Sequence, residues 1–355
     1  MLKRSIPGTG LTVSTLGFGN FVFGTNWWGE FSDDEGISLQ NYAYDRGVNF
    51  FDSAAGYGNG RAERLLAETI RYAGRENVVV STKFGYDFYT DTGGSGHRER
   101  RQDFSPTFLR YDLEQSLRRL DVETIDLYQA HNLKLPDFHD ALFEQLERFV
   151  EEGKIRHWGV ALGPAIGWRE EGYRAMLDHD ASVIQTVFNL YEQDPGRELC
   201  EIAADRGRGA VLARVPTNSG ILDEEFESPD HTFPQWDHRK FRDRDWLVYG
   251  LQKNEVIRPI ARSVGSTIQQ LAFRWLISFP SLASVEPNLL CEADVDAFVE
   301  AAEAGPLPAD VMAKLEELYA VDFYLGEKAH PCDWKSSVTP DGTIRSGYQA
   351  PPVEA

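Results

Sequence analysis

Cysteine, long apolar runs and positive charge are the features that this sequence has little of. Only three of its 355 residues are cysteines, namely Cys200, Cys291 and Cys332. That number is small and odd for a disulfide framework, and no Cys or His spacing indicates a metal site. No signal-like apolar stretch follows the basic residues near the N-terminus. We therefore expect reduced thiols, no bound metal and a cytoplasmic location.

Charge and hydropathy exclude two further classes of partner. No run of about 18 apolar residues occurs, so we expect no membrane span. The chain carries 36 Lys and Arg against 56 Asp and Glu, a formal net charge of −20. Such a surface repels phosphate backbones, so we expect no nucleic-acid partner. The hydrophobic share of 42% allows a large core, and the length fits one α/β barrel or two ordinary domains.

Short apolar runs alternate with helical patterns through most of the chain. Eight such runs are typical of parallel strands buried on both faces, at residues 16–19, 49–52, 78–83, 125–131, 157–161, 182–187, 210–215 and 282–285. Between them apolar residues recur at helix spacing, as in the segment that follows Ser105 and Pro106. Eight repeats predict a (β/α)₈ barrel. A doubly wound sheet is the alternative, but no G-x-G-x-x-G motif follows the first run.

Three segments lie outside this repeat. Residues 3–13 carry turn residues between two strand-like pieces and predict an N-terminal hairpin. Residues 216–254, after the seventh strand, form too long a connection for a plain loop and predict a lid or disorder. The chain from 322 to 355 is rich in Pro, Gly and Ser and predicts an irregular tail that could cover the barrel mouth. We therefore expect a barrel at residues 1–321 and a tail at 322–355.

Ionisable side chains end three consecutive predicted strands. Asp52, Lys83 and His131 each close an apolar run, and Tyr57 follows on a glycine-rich loop. In a (β/α)₈ barrel these strand ends meet at one face, where the chemistry occurs. A buried charge at such a position is unfavourable unless it is paired, and Asp52 can pair with Lys83. The alternative is that each residue is a satisfied core or capping group.

The four side chains together suit an acid directed at a carbonyl oxygen. A free phenol has a pKa of about 10, and we expect the ammonium of Lys83 to lower that of Tyr57. Asp52 would hold Lys83, and His131 would orient the oxygen that Tyr57 protonates. None of these side chains can supply a hydride, so the site needs a cofactor that does.

At these residues the sequence resembles the aldo-keto reductases. The resemblance covers about residues 1–320 and rests on these segments: LGFG at 16–19, GVNFFDSAAGYGNGRAERLL at 47–66, VVVSTKFG at 78–85, IDLYQAHN at 125–132, GKIRHWGV at 153–160 and QTVFNL at 185–190. It implies reduction of an aldehyde or ketone, or oxidation of the alcohol, with a nicotinamide cofactor. It assigns Tyr57 as general acid, with Lys83, Asp52 and His131 completing a tetrad.

The same resemblance implies a set of cofactor contacts, which this chain matches in part. The residues expected to contact the cofactor are Gly19, Asp52, Gln185, Arg214, Val215, Pro216 and Asn288. Ala161 and Leu162 stand where the family usually has Ser-Asn. Arg214 stands where an aromatic ring usually stacks on the nicotinamide, and a planar guanidinium could stack instead.

The stretch after the last strand departs furthest from the family pattern. The family commonly reads Ile-Pro-Gly-Ala there, followed by a basic residue that binds the 2′-phosphate of NADP(H). This chain reads SVEPNLLCEADVDAF, and Leu290 takes the basic position. The resemblance therefore implies NADP(H), while the four acids of this stretch make NAD(H) an alternative. Basic residues of the long loop could still serve the phosphate: Arg239, Lys240, Arg242 and Arg244.

Aromatic residues after the first and third strands predict a substrate pocket. The candidates are Trp27, Trp28, Phe84 and Tyr86, and they suit a small-molecule carbonyl or alcohol substrate without selecting one. The segment HRERRQ at 97–102 is the densest basic stretch and could attract an anion.

Three other functions compete with carbonyl reduction. A cofactor-holding binding module, similar to potassium-channel β subunits, is compatible with the altered residues Ala161 and Leu162. A Schiff-base lyase would use Lys83 as its nucleophile, but Tyr57 has no role in that chemistry. A metal-dependent isomerase would need more ligands than one Asp and one His.

Overall fold

Eight parallel strands form the centre of the molecule. The computed structural model describes residues 1–25, 27–91, 99–163, 168–331 and 337–338. A two-stranded antiparallel hairpin, β1 (Lys3–Ser5) and β2 (Thr12–Ser14), precedes the parallel sheet. The sheet consists of β3 (Phe18–Gly19), β4 (Phe50–Asp52), β5 (Val79–Phe84), β6 (Ile125–His131), β7 (Ile155–Ala161), β8 (Val183–Val187), β9 (Ala210–Arg214) and β10 (Leu282–Glu286).

The sheet closes on itself, and the prediction of a (β/α)₈ barrel is confirmed. Its strands pair in chain order from β3 to β10. A parallel bridge between Leu16 and Val285 joins the two ends. The amide of Gly17 donates to the carbonyl of Val285, and the amide of Val285 donates to the carbonyl of Thr15, each at 2.8 Å. The carboxyl ends of all eight strands therefore surround one mouth.

Helices surround the barrel and follow the strands as the periodicity predicts. Local signals set their first residues: Ser32 and Glu35 form a capping box, and the Ser105 side chain accepts from the amide of Phe108. The helices are α1 (Phe21–Gly24), α2 (Asp33–Asp45), α3 (Arg61–Ala73), α4 (Pro106–Leu120), α5 (Asp140–Glu151), α6 (Arg169–Tyr173), α7 (Gly196–Arg206), α8 (Arg244–Ser263), α9 (Ile268–Leu276), α10 (Glu292–Ala304) and α11 (Ala309–Ala320). Among the described residues, no helix combines the length and apolarity that crossing a bilayer requires.

Two apolar cores hold the barrel together. The larger one lies between strands and helices, and the smaller one fills the barrel interior. Ile6, Leu11 and Val13 of the hairpin segment belong to the inner core, together with Phe50 and Leu127. The hairpin therefore closes the amino-terminal end of the barrel, and the mouth at the other end remains for chemistry.

A buried polar cluster anchors β5 to the helices behind it. The hydroxyl of Thr82 donates to Glu63 at 2.7 Å, and the same carboxylate accepts from Arg119 Nε at 2.5 Å. Asp112, in α4, accepts from the hydroxyl of Tyr89 at 2.8 Å. These bonds fix the strand that carries Lys83.

The long connection after β9 is shorter than the sequence predicted. Helix α8 begins at Arg244, where the side chain of Asp243 accepts from the amide of Asp245, so the helix begins ten residues before 254. In the tail, residues 322–331 include two short 3₁₀ turns, and Lys253 donates to the carbonyl of Ala329 at 2.6 Å. The amide of Ser337 donates to Glu171 at 2.7 Å. The separation of a tail at residue 322 stays a prediction.

Candidate active site

A buried ion pair lies at the mouth of the barrel. Lys83, in β5, donates to Asp52, the last residue of β4, and to the carbonyl oxygen of Ser53 at 2.8 Å. Burial by itself lowers the pKa of Lys83, but Asp52 and the other negative neighbours raise it above its ordinary value. The lysine is therefore charged and held in place. A charged amine has no free lone pair, so Lys83 in this state does not act as a nucleophile.

Side chains from β5, β6 and β8 supply further polar contacts to the same aspartate. Asp52 Oδ1 accepts from the hydroxyl of Ser81 at 2.8 Å and from the amide of Gln129 at 3.1 Å. Its Oδ2 accepts from the amide of Gln185 at 3.2 Å. These bonds satisfy a charge that burial would otherwise destabilise. The carboxylate is therefore the hub on which β4, β5, β6 and β8 converge.

Tyr57 reaches the ion pair from the loop between β4 and α3. The ammonium of Lys83 lies 5.1 Å from the centroid of its ring. Burial raises the pKa of Tyr57 above its ordinary value, and the attraction of Lys83 and Arg214 offsets only part of that rise. Lys83 lowers this pKa as expected, but the net shift is upward because the loss of water outweighs the ammonium. The phenol is protonated at neutral pH.

His131, the last residue of β6, completes the predicted group of four. Its ring lies 5.7 Å from that of Tyr57, edge to face, and 4.9 Å from that of Tyr86. Burial, followed by the charges of Lys83, Arg214 and Lys134, holds the pKa of His131 well below its ordinary value. The imidazole is therefore neutral at neutral pH and can donate one hydrogen bond.

Arg214 brings a second cation to the mouth from the end of β9. Its guanidinium donates to the carbonyl of Leu162 at 2.5 Å and to that of Gly163. Burial lowers its pKa, while Tyr57, Glu286 and other acidic groups raise it. Its Nε is buried and bonds no other described residue. A polar group bound at the mouth would find a donor there.

Glu286, one of the four acids that the sequence analysis set against a 2′-phosphate, lies beside the ion pair at the mouth, where the sequence analysis did not place it. It ends β10, is 7% exposed, and accepts from the amide of Gln185 at 2.8 Å. Burial and the negative charge of Asp52 raise the pKa of Glu286 well above its ordinary value, while Lys83 and Gln185 lower it. The sequence did contain a signal for this residue, namely its position directly after the last predicted strand. A side chain that points inward at that position faces the same mouth.

Aromatic side chains cover one side of the mouth. The ring of Phe21 lies 5.0 Å from Tyr57, 5.4 Å from Trp27 and 5.5 Å from Trp28. From the long loop after β9, His238 stacks on Trp27 at 4.7 Å. The loops after β3 and β9 therefore meet beside the phenol of Tyr57.

The two substrate candidates at and just after the end of β5 lie in different places. Tyr86 is beside His131, donates to Glu99 at 2.9 Å and accepts from Asn132 at 2.7 Å. Phe84 is 1% exposed and stacks on Tyr128 at 4.4 Å, in the core between strands and helices. Adjacent residues of a strand point to opposite sides, so a strand that directs Lys83 inward directs Phe84 away from the mouth. In the basic stretch, positions 97 and 98 lie outside the described residues.

The remaining cofactor candidates lie on the loops around this centre. Gly19 pairs in register with Asp52, and a Cβ added to it would meet Glu286 at 3.9 Å. Val215 has a positive φ of 54°, which turns the chain after β9 into the buried Pro216. Asn288 is half-buried on the loop between β10 and α10.

Comparison with known proteins decides the family. The model of the aldo/keto reductase family matches residues 15–320, most of the chain. This chain belongs to the aldo/keto reductase family. A probable voltage-gated potassium channel β subunit of Arabidopsis thaliana is 28% identical over 331 residues, covering 90% of this chain and 96% of that protein.

A further sequence relative agrees in extent, and a solved structure agrees in extent and fold. The NADH-specific methylglyoxal reductase of Escherichia coli is 27% identical over 295 residues, covering 80% of this chain and 88% of that enzyme. The structure of the glycerol dehydrogenase of Gluconobacter oxydans is similar with a TM-score of 0.77 at 24% identity, covering 93% of this chain and 97% of that one. This family member therefore has the fold of its relatives over nearly its whole length.

Proposed function

We propose that this aldo/keto reductase family member transfers a hydride between a nicotinamide dinucleotide and a carbonyl or alcohol substrate, with Tyr57 as the general acid. The observation that carries the proposal is the buried Lys83–Asp52 pair beneath the ring of Tyr57, with the ring of His131 beside it. A bound nicotinamide dinucleotide would supply the hydride, because none of these four side chains can.

The residues of this chain do the proton chemistry. Tyr57 is protonated at neutral pH and gives its proton to the carbonyl oxygen during reduction. Lys83 stabilises the phenolate that remains, because its ammonium lies over the same ring. Neutral His131 can hold the substrate oxygen with one N–H. Asp52 keeps Lys83 in place and is a positioning residue.

Polar atoms without partners at the mouth fit a dinucleotide. Arg214 Nε and Glu286 Oε1 are buried and bond no other described residue. Gln185 stands beside Asp52 and would hold the carboxamide of the nicotinamide by resemblance to the family. Ala161 and Leu162 give no polar side chain to that carboxamide, so Gln185 and Arg214 carry more of the binding.

Replacing Tyr57 by Phe tests the proton donor. We expect turnover in the Tyr57→Phe variant to fall at least about 100-fold while cofactor affinity stays near that of the wild type. The measurement is the loss of reduced-cofactor absorbance with a panel of aldehydes, and cofactor binding is followed by tryptophan fluorescence. Tyr72→Phe, an exposed tyrosine hydrogen-bonded to Asp45, is the matched control. Wild-type turnover in Tyr57→Phe would remove Tyr57 as the acid.

For the cofactor, we propose a preference for NAD(H) over NADP(H). No Lys or Arg occurs from 287 to 298, and Asp294 accepts from the amides of Leu290 and Cys291. The long-loop cations are used elsewhere: Arg239 pairs with Asp237 and Glu225, Lys240 and Arg244 donate to loop carbonyls, and Arg242 pairs with Glu192. A 2′-phosphate would meet acids, whereas a free ribose hydroxyl can donate to them. The E. coli relative, described as NADH-specific, supports this choice.

Affinity for the two cofactors tests this preference. We expect NADH to bind at least about tenfold more tightly than NADPH, as titrations of tryptophan fluorescence would show. Leu290→Arg should strengthen NADPH binding and change NADH binding little, because a cation returns to the loop. Leu177→Arg, at an exposed position on the helical surface, is the control for added charge. Tighter binding of NADPH by the wild type would contradict the preference.

A cofactor-holding binding module is the second candidate. It is favoured by the likeness to a probable potassium channel β subunit and by the apolar pair Ala161 and Leu162. Steady-state assays distinguish the two functions, since an enzyme turns over repeatedly with excess cofactor and aldehyde. A single slow turnover per protein would favour the binding module.

A further inference from the structure

Glu286 is a buried acid at the centre of the mouth. Strand β10 ends with this side chain, whose Oε2 accepts from Gln185 Nε2 at 2.8 Å. Its other oxygen, Oε1, is buried and accepts no hydrogen bond from the described residues. Gly17 packs against it closely, because an added Cβ there would come within 3.1 Å of Glu286 Cγ. A side chain confined in this way has a fixed direction and an unfilled polar position.

Charged or titratable groups from four other elements face this carboxyl group. They are Asp52 at the end of β4, Tyr57 on the loop between β4 and α3, Lys83 in β5, and Arg214, the register partner of Glu286 on β9. Two cations and two acids thus share one site. Burial and the negative charge of Asp52 together raise the pKa of Glu286 well above its ordinary value, which favours the protonated form of this carboxyl group.

The position of Gln185 connects this acid to the cofactor. Gln185 is the residue that the proposed function places against the nicotinamide carboxamide, and its amide nitrogen bonds Glu286 directly. The nicotinamide ring is cationic in the oxidised cofactor and neutral in the reduced one. A carboxyl group one side chain away therefore experiences a different field with each form.

We propose that Glu286 is the counter-charge of the oxidised cofactor: it is protonated in the free protein and in the complex with NADH, and it ionises when NAD⁺ binds. The proposal rests on the proposed function. Its proton balance is complete, because the proton leaves the Glu286 carboxyl for solvent and the carboxylate that remains faces the cationic ring. Binding of NADH leaves the proton in place.

Linkage gives the proposal a measurable consequence. If NAD⁺ binding releases a proton, its affinity rises with pH by up to about tenfold per unit over the range in which the free protein is protonated. NADH binding does not depend on pH in that range. The pKa of Tyr57 is raised and that of His131 is lowered well below its ordinary value, so neither of these groups titrates near neutral pH.

Calorimetric titration of the full chain measures the released proton directly. NAD⁺ and NADH would each be titrated near pH 7 in two buffers with different ionisation enthalpies, and the difference in heat gives the protons released per cofactor bound. We expect about one for NAD⁺ and about zero for NADH in the wild type. Glu286→Gln keeps the size of the side chain and should release none with either cofactor, with NAD⁺ affinity reduced about tenfold or more. Glu303→Gln, at an exposed position in α10, should behave as the wild type does.

Each outcome decides the matter. Equal proton release with both cofactors, or release that persists in Glu286→Gln, overturns the proposal while leaving the proposed function intact. Absence of binding by either cofactor overturns the proposed function and this proposal together. If Glu286→Gln does not fold, the wild-type ratio of NADH to NAD⁺ dissociation constants from about pH 6 to about pH 9 decides, since a flat ratio contradicts the proposal.

Discussion

Removal of the ammonium group at the centre of the site is the perturbation whose effect can be worked out most fully. Lys83→Met replaces a fully buried lysine by an apolar side chain of similar length. Asp52 then loses its charged partner, and Glu286 loses the cation that favours its ionisation. Breaking a buried ion pair by removing one partner destabilises a protein by about 3–5 kcal/mol.

Chain length converts this energy into a melting temperature. Unfolding entropy near the midpoint is about 2.1 cal/mol/K per residue, so 355 residues give about 0.75 kcal/mol/K. The expected loss in Tm for Lys83→Met is therefore about 4–7 °C at neutral pH. The loss should shrink in acid, where the acids left behind can take up protons. The turnover of Lys83→Met should also be lower than that of the wild type, since Tyr57 loses the cation that stabilises its phenolate.

A second buried lysine supplies the control. Lys253 is 5% exposed, donates to the carbonyl of Ala329, and forms no ion pair within 4 Å among the described residues. Burial lowers its pKa to about 8, so it is still mostly charged at neutral pH, but its replacement breaks no ion pair with a buried carboxylate in the described part of the chain. Calorimetry of Lys83→Met and Lys253→Met should show the larger loss for Lys83 and lost turnover for that variant alone. Equal losses of stability with turnover intact in both would refute the reasoning.

Two further perturbations test the support of the site. Burial raises the pKa of Asp112 to about 7, so the folded protein binds a proton that the unfolded chain has lost, and stability falls as pH rises from about 4 to about 7. Asp112→Asn should remove this fall in the free energy of unfolding, which is at most about 4 kcal/mol. In urea unfolding the variant should therefore become increasingly more stable than the wild type as pH rises to neutral. Asp205→Asn, at an exposed position, should not. A Cβ on Gly24 would lie 2.5 Å from Tyr57 Cβ, while one on Gly56 meets only an ordinary contact at 3.8 Å. Gly24→Ala should therefore reduce turnover about tenfold or more by displacing the phenol, and equal rates in Gly24→Ala and Gly56→Ala would contradict this.

Most of the fold could be predicted because its signals are local. Buried parallel strands read as short apolar runs, and the run at 125–131 coincides with β6. The capping residue Ser105 fixes the first turn of α4. The beginning of α8 was missed although Asp243 is a capping residue, because the charged sequence around it has the composition of a loop. Its amphipathic face becomes apparent only from the neighbours it covers.

The candidate site, like the fold, could be predicted from the sequence only in part. Strand ends could be read from the sequence, so Asp52, Lys83 and His131 meet as expected. The direction of the Tyr57 pKa shift could not be read from the sequence, because it depends on how completely neighbouring segments exclude water, and Phe21 comes from α1, a different segment from the loop of Tyr57. The alternation of side chains along a strand, by contrast, can be read from the sequence. It places Phe84 on the opposite face of β5 from Lys83.

Arg214 and Glu286 show why departures from a family pattern should be considered together. Taken singly, each puts a charge where the family has an aromatic or aliphatic side chain, and a lone buried charge is strongly unfavourable. The structure makes them register partners on β9 and β10. With both present the mouth has two cations, Lys83 and Arg214, and two acids, Asp52 and Glu286. Glu286 favours the charged form of Arg214, while burial and Asp52 favour the protonated form of Glu286, so the reason for either residue lies partly on a neighbouring strand, about 70 positions away in the sequence.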